Sequence, residues 1–139
     1  MNESVLQAIK TLEDLRFTKP ADEERVSAAE RQLGLNFAVD YKAYVRTYGV
    51  ISAKGIELTG LTEIKRLDVV SVTKRERETN PFFPGNMYVI ENIGIDGVLF
   101  LQNSEGEIYK FEQSGAIQKK FHSLEEYIKH VVRNMKKSR

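Results

Sequence analysis

The hydrophobic period of this chain changes once, about midway, and that change limits the fold more than any composition figure does. Up to Gly49, apolar residues recur at three- and four-residue spacing, as in helices buried along one stripe. From Met87 onward they fall in short runs separated by turn residues, as in strands. Helices and strands are thus segregated along the chain, which predicts an α+β fold and argues against a doubly wound sheet.

Three stripes make the helical half. Val5, Leu6, Ile9, Leu12 and Leu15 predict a first helix, ended by Lys19-Pro20. Glu23 and Glu24 suit the first turn of a second, whose face is Val26, Ala29 and Leu33 and whose cap is Gly34. The third runs through Phe37, Tyr41, Tyr44, Val45 and Tyr48 to Gly49. Ile56-Glu57-Leu58 is a short strand between Gly55 and Gly60. Residues 67–80 read two ways. Val69, Val70 and Val72 suit a strand, whereas Thr73 to Thr79 suits an exposed helical turn or two.

The second half predicts an antiparallel meander of Met87 to Ile90, Val98 to Leu101, Ile108 to Phe111 and Ile117 to Phe121. Asp96-Gly97 and Ser104-Glu105-Gly106 supply turn residues that tolerate positive φ. Ser123 and Glu126 form a capping box that opens a last helix, with Leu124, Tyr127, Ile128, Val131, Val132 and Met135 on its apolar face. Residues 1–139 therefore read as one domain: an N-terminal helix and linker over 1–20, a core over 21–135, and a basic tail at 136–139.

A chain of 139 residues can bury enough surface to fold without a disulfide or metal. It has no cysteine, which removes thiolate zinc sites and cysteine nucleophiles together. No signal peptide and no long apolar run stand in the sequence, so a cytoplasmic, membrane-free protein is expected. A net charge of +1 argues against direct nucleic-acid binding. The basic residues after Gly115 read as a solvated helix face and tail.

Catalytic chemistry needs polar groups that converge, and the sequence offers little. His122 and His130 lie eight residues apart, about two turns along a helix, which is too far to share a metal. Acidic pairs such as Glu13 with Asp14 or Glu125 with Glu126 sit in charge-mixed segments that solvation explains. Gly94-Ile95-Asp96-Gly97 is a hairpin turn too short for a phosphate loop, and no nucleophile elbow occurs. Neither an enzymatic activity nor a cofactor is expected.

Partner binding is better served. Pro81-Phe82-Phe83-Pro84-Gly85 holds adjacent rings in a loop where they point opposite ways, leaving one as an anchor or both folded on the sheet edge. Ser52 to Glu57 reads as a polar, glycine-bearing loop. Ser52, Lys54, Glu57, Phe82, Phe83, Glu91 and Asp96 are the candidate partner-binding residues. A competing idea is a small-ligand pocket lined by Tyr41, Tyr44, Tyr48 and Glu57. An edge strand of the meander also leaves pairing with a second copy open.

The order Glu24-Arg25-Val26, Ala29-Glu30, Leu33-Gly34-Leu35, Phe37, Asp40-Tyr41, Tyr44-Val45, Tyr48-Gly49 resembles the signature of the SUKH superfamily. The likeness continues through Gly55 to Leu58, Asn86 to Asn92, Asp96-Gly97, Glu107 to Phe111 and Ser123 to Ile128. Phe37-Ala38 stands where Leu-Pro is usual, and the tryptophan frequent in relatives is absent. The resemblance implies an α+β fold without catalytic residues. For most bacterial members it implies an immunity protein, bound to a cognate polymorphic toxin such as a nuclease or deaminase. A minority of eukaryotic relatives act as regulatory scaffolds. The near-neutral charge makes an acidic nucleic-acid mimic a poor variant of the immunity role.

Overall fold

The first apolar stripe forms helix α1, Asn2–Lys10, in a computed structural model that describes residues 2–94 and 96–137. This helix stops short of Leu15. The amides of Thr11 and Leu12 bond back to the carbonyls of Ala8 and Ile9, a tightening that commonly ends a helix, and Asp14 then takes a positive φ of 57°. The turned chain enters strand β1, Arg16–Phe17.

Helix α2, Glu23–Leu33, is bounded by two chemical stops. Asp22 accepts the Arg25 amide at 2.8 Å, and left-handed Gly34 donates to the carbonyls of Glu30 and Arg31. Helix α3, Val39–Tyr48, buries Tyr41, Tyr44 and Val45 and stops at Gly49. Strands β2, Ile51–Ala53, and β3, Ile56–Glu57, follow, and the three short strands pair in the order β1-β2-β3. The loop expected over 52–57 is therefore a β-hairpin, with Ser52 opposite Glu57 and Ala53 opposite Ile56. Two glycines allow the chain to close here: a Cβ on Gly49 would lie 2.1 Å from the Lys19 carbonyl, and one on Gly60 would lie 1.9 Å from that of Gly49.

A 3₁₀ turn at Lys65–Leu67 leads into α4, Val69–Thr79. The ambiguous stretch is thus helical from Val69 to Thr79, and its valines belong to that helix and not to a strand. Asp68 starts it by accepting from both the amide and the hydroxyl of Ser71, and Val69, Val70 and Thr73 are buried.

The expected meander is present as β4, Met87–Asn92, β5, Leu99–Asn103, β6, Ile108–Phe111, and β7, Ile117–Phe121, in that spatial order and antiparallel throughout. Asp96 and Gly97 have φ of 52° and 68° at its first turn. Helix α5, Leu124–Lys137, completes the single α+β domain. Of the tail read at 136–139, Lys136 and Lys137 continue α5, while Ser138 and Arg139 lie outside the described residues.

Each face of the four-stranded sheet is covered by helix. Met87, Val89, Leu99, Leu101 and Phe111 form one cluster, packed against Val72 of α4 and against Phe83. The opposite face joins the main core, where Phe37, Tyr41 and Tyr88 stack with centroids 4.8 to 5.1 Å apart. A register shift between Val89 and Glu91 decides what lies on that second face. Strict alternation would place Glu91 beside Met87 and Val89. The bulge instead sets it opposite Phe100, on the side facing α5.

Candidate functional site

Glu91 is the most unusual side chain of that face, an acid only 6% exposed. Its carboxylate accepts the Glu57 amide at 2.7 Å and the hydroxyl of Tyr127, so one residue ties β3, β4 and α5 together. Burial pushes its carboxyl above the usual carboxylate range, and these two hydrogen bonds oppose that shift. The Tyr127 hydroxyl is pushed up in turn, by burial and by the neighbouring Glu91 charge.

A second buried network joins elements remote in sequence. Asp40 accepts the Leu124 amide at 2.8 Å and the Gln102 side-chain amide at 3.1 Å, capping α5 from the start of α3. Tyr88 donates to Gln102 at 2.6 Å and accepts the Ala38 amide at 2.9 Å. Burial, acting against several hydrogen bonds, raises the Asp40 carboxyl as well. In both networks the polar atoms are spent on each other.

Between α5 and the sheet a cleft of about 620 Å³ opens above Glu91. Phe100, Phe121, Tyr127 and Val131 give it an apolar wall, and Gln118, Lys120 and His130 give it a polar mouth at β7. Phe121 and Tyr127 meet edge to face at 5.2 Å, which fixes the wall where α5 crosses the last strand. A cleft of this kind offers shape, one aromatic wall and a few donors, which is equipment for recognition.

The residues singled out from sequence fall into two groups. Ser52, Lys54, Glu57 and Glu91 gather at the β2–β3 hairpin. There Glu57 holds Arg66 through two bonds of 2.7 and 3.2 Å, and the Lys54 amide donates to the Glu13 carbonyl. Phe82, Phe83 and Asp96 gather around the β6–β7 turn. Asn80 bonds Gln113 of that turn, and Gln113 bonds the Gly97 carbonyl beside Asp96. Of the two arrangements left open for the phenylalanines, the one with a single exposed ring is present. Phe83 is half-buried against Phe111 at 5.6 Å, while Phe82 is 61% exposed and rests over Gly115.

Sequence reading missed the cleft mouth, Gln118, Lys120 and His130, and the anchoring role of Tyr127. A signal existed in the acid Glu91, which directly follows the apolar run Met87 to Ile90. The proposed tyrosine pocket is absent at its main residues: Tyr41 and Tyr44 are fully buried, and their hydroxyls are engaged by Thr59 and the Ile51 amide. His130 bonds Asn134 at 3.0 Å and lies against Phe121, whereas His122 is exposed. Among the described residues no three His, Cys, Asp or Glu side chains gather closely enough to hold a metal ion, and no helix is long and apolar enough to cross a membrane.

A SUKH family model, described as SMI1-KNR4 cell-wall, matches residues 1–133. No curated protein matches the chain. The match takes in α1 and almost all of α5, so it spans both walls of the cleft as well as the tyrosine core. On that coverage, the chain belongs to the SUKH (SMI1-KNR4) family.

Proposed function

We propose that this protein is an immunity protein, which binds a cognate polymorphic toxin and blocks it by covering its active site. One observation carries this reading: the two buried polar networks, around Glu91 and around Asp40, are consumed by the fold itself, leaving shaped surface to act. Occlusion needs only a preformed, complementary surface burying the area of an ordinary protein interface. Family membership supports the same role. In this reading the protein has no enzymatic activity, resides in the cytoplasm, and contacts neither nucleic acid nor membrane directly. The toxin would be a nuclease or a deaminase.

Co-expression with the product of an adjacent toxin gene tests the proposal. The expected result is survival of the host and recovery of an equimolar complex; host death with no complex overturns it.

The cell-wall wording of the matched family model favours a second reading, a regulatory interaction module without a toxin. The two part on the same experiment, since a regulatory module would give no protection.

A further inference from the structure

Strand β7 differs from its three neighbours in the sheet. Ile117, Gln118, Lys119 and Lys120 are all exposed, whereas most of β4 and β5 is buried and β6 has no exposed residue. The opposite border of the sheet is closed, because Thr59 donates to the Ile90 carbonyl and Glu57 to Glu91 across β4. An edge left open presents a row of unpaired backbone groups to any extended chain.

The direction of that row follows from the β6–β7 turn. The Ala116 carbonyl accepts the Glu112 amide at 2.9 Å, so Ala116 faces β6. By alternation, Ile117 and Lys119 direct their amides and carbonyls outward. An added strand would bond there, and its side chains on the α5 side would enter the cleft mouth beside Phe121 and His130.

Charge selects the occupant. Lys119 is already paired with Glu107 at 2.6 Å. Lys120, in the irregular part of the strand, has no hydrogen-bond or ion-pair partner among the described residues, and His130 stands across the mouth from it. Glu91, the acid on the cleft floor, is three strands away, about 14 Å at ordinary strand spacing. A second copy of the chain fits this edge poorly. Antiparallel self-pairing centred on β7 sets Lys119 of one copy directly opposite Lys119 of the other, a like-charge pair that disfavours it.

We infer that the β7 edge and the adjoining cleft mouth bind an extended segment of a partner protein by strand addition, with an acidic side chain of that segment set against Lys120 and His130. The inference deepens the immunity reading by naming the surface and the mode of contact.

Selection of random peptides about ten residues long on the full chain tests it, a length that spans one added strand. Recovered peptides are expected to alternate β-branched residues with Asp or Glu, and to shift the amide resonances of 117–121. Lys120→Glu should weaken them about tenfold, and Lys119→Pro, which removes an outward amide, should abolish binding. The charge variant leaves the backbone untouched, so it stays informative if the proline variant does not fold. Peptides without acids, resonance shifts confined elsewhere, undiminished binding by Lys120→Glu, or a chain that sediments as a β7-paired dimer would each overturn the inference. If Lys120→Glu still protects cells against the co-expressed toxin as well as the unaltered chain does, this surface is wrong while the immunity reading stands. Failure of the unaltered chain to protect removes that reading instead.

Discussion

At Glu91, a bulge and a buried charge meet, and the consequences can be measured. Its folded-state carboxyl is raised above the ordinary value of 4.5. Between that value and the raised one, the native state binds more protons than the unfolded chain, so this group's contribution to stability falls as pH rises through the window. Asp40 acts in the same direction. Urea unfolding of Glu91→Gln across the acidic range should show a flatter slope than the unaltered chain. It should also show a loss of about 1–3 kcal/mol at neutral pH, because a glutamine cannot accept from both the Glu57 amide and the Tyr127 hydroxyl without disturbing one of them. An unchanged slope would mean the carboxyl is not perturbed as described. Tyr88→Phe poses the matching question in the second network. It strands the Ala38 amide and one Gln102 acceptor, and chemical denaturation should register a loss of about 1–3 kcal/mol.

Among the elements, the long-range links are what sequence could not display. The stripes of α2 and α3, their glycine stops and the four-stranded meander were legible because each is specified by local spacing and local turn chemistry. Strands β1 and β2 were not. Arg16–Phe17 and Ile51–Ala53 are too short to show a period, and the pairing of Phe17 with Ile51 creates them from residues far apart in the chain. Helix α4 was obscured by β-branched residues that tertiary burial tolerates, although Asp68 with Ser71 was a readable start. Helix α5 has a readable cap, Ser123, which accepts the Glu126 amide at 3.1 Å, and an unreadable one in Asp40, 84 residues away. Asp40→Ala should therefore speed amide exchange at Leu124 and the first turn of α5 while α2 stays protected, with a cost of about 1 kcal/mol for the lost cap. Gly60→Ala belongs here too. Its methyl group would collide with the Gly49 backbone, so severe destabilisation is expected by thermal melting, and a neutral outcome would contradict the close approach of Gly60 to the end of α3.

For the molecule as a whole, the two buried networks around Glu91 and Asp40 spend their polar atoms inside the fold, and the proposed function assigns recognition to the surface. Of the candidate binding residues, Phe82 is exposed, one of the two outcomes its loop left open, whereas Glu91 is tied into the fold and floors the cleft. Its place was illegible because the bulge that carries Glu91 from the face of Met87 and Val89 to the face under α5 leaves no trace in strict alternation. The mouth residues Gln118, Lys120 and His130 come from two elements and converge only when α5 crosses β7, so no spacing along the chain announces them.

Whether this surface acts by occupancy, as proposed, is tested most directly by titrating the purified protein into a fixed amount of the toxin encoded beside it. The prediction is a linear fall in toxin activity that reaches zero at an equimolar ratio and is reversed when the complex is dissociated. Complete silencing by a small fraction of one equivalent, with the toxin left covalently altered, would contradict it.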